Sequence, residues 1–111
     1  MEAIDVGNTF YHRLVNRDRQ QGDGKHTAVE FREKFLTKFD NIESWKNISA
    51  TITFDFKNVQ KIGPSFANEA FAYFMKYANP SNFEKVIKFI NISKVAEMII
   101  KEELQTGYSK K

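Results

Sequence analysis

Ser65 is placed where a hydroxyl can do chemistry. It lies in "ITFDFKNVQKIGPSFANEAFAYFMK", where an alternating apolar run stops at Gly63-Pro64-Ser65 and a run with helical spacing begins at once. A serine at such a junction can cap the free amides of a helix start, and the same amino terminus attracts anions, phosphate included. Pro64 suits a turn or a first helical turn with preset φ, and Gly63 can supply a positive φ or a close approach of the chain. Asn68 and Glu69 follow on what read as the opening turns, where the helix dipole favours an acid. Arg32, upstream, can pair with an acid across the sheet or lay its stem along the surface with its head in water. Asp55 alternates away from the Phe face of its strand, placed to close a turn or pair with a base.

These residues do not assemble a catalytic set. General acid–base work by Glu69 needs a second titrating group beside it, and the sequence names none, so no enzymatic activity is expected. His12 and His26 are the only histidines and lack a ligand-spaced carboxylate motif, so no metal site is expected. Cysteine is absent, which excludes a disulfide framework, a thiolate site and a thiol nucleophile, and fits a reducing cytoplasm. "GDGKHT" lacks the Walker spacing, and no nucleophile elbow or dinucleotide fingerprint occurs, so no cofactor is expected.

Seventeen basic against 14 acidic residues leave a net charge of +3, a mixed balance that reads as a solvated surface. The nearest approach to a nucleic-acid footprint is Arg13, Arg17 and Arg19, interrupted by Asp18. That cluster supports an alternative role as a nucleic-acid-associated accessory protein. The opening "MEAIDVGNTFYHRL" has no uninterrupted apolar core for a signal peptide. The apolar runs fall short of the ~20 residues of a membrane span.

The 111 residues suit one domain with one core. Residues 1–25 hold a short strand at 2–6, a second strand pattern at 10–17 and the polar loop "RDRQQGDGK". Thr27-x-x-Glu30 is a capping box, followed by an apolar helix stripe of Ala28, Phe31, Phe35 and Phe39. Ile42 and Trp45 are expected to pin the connection that follows. "TITFDF" alternates as a strand, and a helix runs from Ser65 until Asn79-Pro80 stops it. "KVIKFINI" reads as a strand covered on both faces. A last helix spans 94–104, with Val95, Ile99, Ile100 and Leu104 facing the core and 106–111 as a tail. Strand, crossover helix and strand imply parallel pairing. The class is α/β: a small, mostly parallel sheet of about four strands packed by helices.

"TAVEFREKFL" followed by "ITFDFKNVQKIGPSFANEAF" resembles the STAS-like domain family of unknown function, found in bacteria and their mobile elements. Phe31, Arg32, Glu33, Gly63, Ser65, Phe66, Glu69, Ala70 and Phe71 carry the match, which covers residues 27–74. That family is similar to the domain shared by sulphate transporters and anti-sigma factor antagonists. The resemblance implies a regulatory protein-interaction module whose strand-to-helix junction, with Gly63, Pro64, Ser65, Asn68 and Glu69, docks a regulatory kinase or another signalling protein. In antagonists a serine at this helix start is phosphorylated and docking is disrupted. Pro64 stands in that place here and takes no phosphate, which leaves Ser65, one residue later, as the switch candidate.

Overall fold

Thr27 Oγ1 accepts the N–H of Glu30 at 3.3 Å and starts a helix at once. The computed structural model, which describes residues 3–16 and 26–110, runs from that cap into α2. In chain order the elements are β1 (Ile4–Asp5), α1 (Val6–Thr9), β2 (Arg13–Leu14), α2 (Ala28–Phe35), β3 (Ile52–Asp55), β4 (Lys61–Ile62), α3 (Pro64–Ala70), α4 (Pro80–Val86), β5 (Ile87–Ile90) and α5 (Lys94–Ser109). The class is α/β, and every strand pairing is parallel. β3 lies between β1 and β5, with Phe54 opposite Ile4 on one side and Phe89 on the other. The strands expected at 51–56 and 86–92 are therefore parallel neighbours. The small parallel sheet expected from the sequence is present as three strands, β1-β3-β5, with a further two-stranded pair, β2-β4.

Several segments depart from the sequence reading for identifiable reasons. α2 ends at Phe35, and a single 3₁₀ turn, Thr37–Phe39, carries Phe39 into the core at 2% exposure. α3 likewise stops at Ala70 and tightens into the 3₁₀ segment Ala72–Lys76. Asn79-Pro80 ends that segment and opens another helix. Asn79 Oδ1 accepts the N–H of Asn82 at 2.7 Å, and Pro80 takes the first helical position, where its missing N–H costs nothing. β5 is not covered on both faces: Ile87 is buried, whereas Lys88 and Ile90, on the other face, are exposed.

α5 continues into the expected tail as far as Ser109, and Gly107 lets it approach the 3₁₀ segment closely. A Cβ at Gly107 would stand 3.1 Å from that of Ala72. Its buried stripe is Ala96, Ile100 and Leu104, and Val95, expected inside, is 66% exposed. Ile42 is exposed rather than packed down, whereas Trp45 is buried. Positive φ angles at Asn41, Ser44 and Trp45 turn that connection inward, and the indole stacks on Phe83 at 5.7 Å. The loop at 17–25 and the tip of the 10–17 strand pattern lie outside the described residues.

At the centre of the core is Phe31, fully buried, with ring contacts to Phe54 at 5.1 Å and to Phe66 and Phe71 at 5.6 Å. One aromatic side chain of α2 thus joins the sheet to α3. Aromatic pairs of this kind add about 0.5–1.5 kcal/mol each beyond area burial.

Candidate functional site

The junction that carries Ser65 follows β4 and not β3. β3 ends at Asp55, a turn occupies 56–60, and β4 then pairs with β2 before the chain enters α3. The Gly63 N–H donates to the Leu14 carbonyl at 2.8 Å, which fixes the helix entry against the 10–16 segment. Gly63 is the N-cap residue, with φ −104° and ψ 162°, and no side chain caps α3. A Cβ at Gly63 would lie 3.7 Å from Val15, an ordinary contact. Gly63 therefore provides neither a positive φ nor an exceptional approach. Pro64 is the first helical residue and is exposed; Ser65 is the second and half-buried. The expectation that Ser65 caps the helix is overturned, because its hydroxyl stands beyond the N-cap position.

Glu69 and Asn68 do not belong to the opening turn. α3 has no acid there, and Glu69, in its second turn, faces α2. Arg32 Nη1 donates to the Glu69 carboxylate and, at 2.7 Å, to the Glu69 carbonyl. The guanidinium carbon lies 3.8 Å from the Tyr73 ring centroid, and the Tyr73 hydroxyl donates to the Asp40 carboxylate at 3.0 Å. Burial, and then the bond to Asp40, raise the Tyr73 hydroxyl above the ordinary tyrosine value. Arg32 therefore pairs with an acid, but the partner is on the neighbouring helix α3 and not across the sheet. Phe66, Ala70 and Phe71 are fully buried, Glu33 is exposed and Asn68 is half-buried. The resemblance residues thus split: most belong to α2 and α3 where the two helices meet, and only Gly63 and Ser65 lie at the junction, on either side of Pro64.

The carboxyl edge of the three-stranded sheet is held by short polar links. Asp55 Oδ1 accepts the Lys57 N–H at 2.9 Å and Asn91 Nδ2 at 3.1 Å, so it closes a turn and ties the ends of β3 and β5. Asp5 accepts from Asn58 Nδ2 at 2.8 Å and from Asn8, and the Asn58 bond is the main cause holding its carboxyl below the usual range. Between this turn with β4 and the start of α5 opens a groove of about 500 Å³. Phe56 and Ile62 line its buried side, Val95 and Ile99 its α5 wall, and Lys57 and Lys61 are exposed along it.

Sequence reasoning missed this groove. A usable signal was present, since residues 56–68 contain two lysines and no acid. Among the described residues no group of three or more histidine, aspartate or glutamate side chains is placed to hold a metal, and no helix is long and apolar enough to cross a membrane. His26 stacks on Tyr11 at 4.2 Å. Arg13 is exposed on β2; Arg17 and Arg19 lie outside the described residues.

Comparison with protein-family models gives a match over residues 27–97 to a STAS-like domain of unknown function (DUF4325). Curated proteins and solved structures give no match.

Proposed function

The chain belongs to the family of STAS-like domains of unknown function, and we propose that it is a non-enzymatic regulatory module of the cytoplasm. In this reading it docks a protein partner, a regulatory kinase or another signalling protein, through the strand-to-helix junction at Gly63, Pro64 and Ser65. The observation that carries the reading is the way the junction is presented. Pro64 is exposed and Ser65 half-buried, no side chain caps the helix, and the junction directly follows the strand that borders the groove.

Ser65→Asp tests this reading. An acid in the first turn suits the positive end of a helix, so the variant should melt within a few degrees of the parent. A new charge desolvated at an interface costs several kcal/mol, so affinity for the partner should fall at least tenfold, about 1.4 kcal/mol. Capture from the native cell with both proteins as bait, followed by titration of the protein retained by the parent, reads the difference. Equal affinity of the two would remove Ser65 from the interface. Ser65→Ala, with no cap to lose, should match the parent in both melting and binding.

A further inference from the structure

We propose that the groove between β4 and α5 seats an acidic, apolar-studded peptide segment of the docked protein. The inference rests on the reading that this domain docks a protein, but it uses a surface other than Ser65. A volume of about 500 Å³ falls in the usual range of ligand sites, roughly 300–1,000 Å³. Two properties of the groove select the occupant.

The first is charge. Lys57 and Lys61 line the groove, and neither an aspartate nor a glutamate does. Two acids lie beside the groove without lining it: Asp55 accepts from the Lys57 amide and from Asn91, and Asp5, bonded to Asn58, is near enough for Lys57 to favour its charged form. Glu97, on α5, lines the opposite groove towards β5. Complementary potentials across an interface steer partners and reject those of like charge, so an acidic occupant is favoured and a basic one disfavoured.

The second is the apolar wall. Val95, 66% exposed, lines the groove together with the half-buried Ile92 and Ile99. A free phosphate or a single small acid would satisfy the lysines and leave this wall in water. A neutral apolar ligand would do the reverse. A peptide with acids between apolar side chains meets both, in the manner of amphipathic segments laid into grooves.

The test uses the whole chain, isotopically labelled, and three pools of short synthetic peptides followed by amide NMR shifts. The first pool alternates Asp or Glu with Leu, Ile or Phe; the second replaces the acids by Lys; the third replaces the apolar residues by Ser. The proposal predicts saturable shifts confined to 56–62 and 91–99 with the first pool alone. It further predicts an at least tenfold affinity loss for Lys57→Glu/Lys61→Glu, with the rest of the spectrum unchanged. Shifts elsewhere, no shifts, or equal binding of the second or third pool would overturn it. If the double variant fails to fold, Val95→Ser gives the same readout from the apolar side. The first pool should bind Ser65→Asp as it binds the parent. Failure of the Ser65 experiment alone would thus remove the junction and leave the groove, and failure of the peptides alone would do the opposite.

Discussion

The seam between α2 and α3 and the groove between β4 and α5 sit on either side of the same short stretch of chain, and they are built in opposite ways. In the seam, Phe31 meets Phe66 and Phe71, all fully buried, and Arg32 closes the edge by bonding Glu69 and covering Tyr73. In the groove, apolar side chains stand in water beside lysines with no acid lining the same space. The residues that carry the family resemblance converge on the seam. Most of the signature side chains therefore mark what holds the domain together, whereas the residues lining the groove, all but Ile99 inside the matched range 27–97, include none of them.

The comparison can be broken most forcefully at Phe31. Phe31→Ala removes the ring shared by the sheet and α3 and should cost about 3–5 kcal/mol, read as a lowered urea midpoint. A loss below 1 kcal/mol would mean that the seam can collapse around the gap and is not the structural centre. Arg32→Met deletes the donor to Glu69 and should cost about 2 kcal/mol, the range of hydrogen bonds to charged groups. Arg32→Lys should recover only part of this, because an ammonium cannot reproduce the planar fork that bonds Glu69 and covers the Tyr73 ring. Thr27→Ala, which removes the cap of α2, should cost about 1 kcal/mol, and an unchanged denaturation midpoint would show that Thr27 caps nothing. On the groove side, Val95→Ser should stay within about 0.5 kcal/mol of the parent; a larger loss would mean that this wall is part of the core.

Alkaline titration sharpens the same contrast. The Tyr73 hydroxyl is neutral in the fold and raised, first by burial and then by its bond to Asp40. A group raised on folding contributes stability that is complete below its unfolded value, about 10, and is lost as pH rises from there through the folded value. The parent should therefore lose stability above pH 10 more steeply than Tyr73→Phe. Parallel pH–stability curves for the two would remove this link from the edge of the seam.

Local chemistry was legible in the sequence where it extends over several residues. The Thr27 box, the Phe31 stripe and the alternation of 52–56 each predicted an element, and strand–helix–strand order predicted the parallel pairing of β3 and β5. β2 and β4 were not legible as a pair, because two-residue strands have no periodicity and are defined by each other. α4 was hidden because Asn79-Pro80 signals a helix end and, equally, a capped helix start. Arg32 could be matched to no particular acid, since its partner lies 37 residues away. Ser65 was misread as a cap because serine is common both at the N-cap and just after it, and only the backbone of Gly63 separates the two. The groove needed α5 to be rotated correctly: the sequence stripe put Val95 inside, whereas Ala96 takes that place.

Thermal unfolding of Glu69→Gln beside Lys61→Glu tests the division between scaffold and docking surface most directly, and it needs no partner. Glu69→Gln breaks the charged link of the seam and should lower the midpoint by about 4 °C or more. Lys61→Glu reverses a charge on the groove and should melt with the parent. A parental midpoint for Glu69→Gln together with early unfolding of Lys61→Glu would contradict the account, placing the structural load on the groove and freeing the seam for recognition.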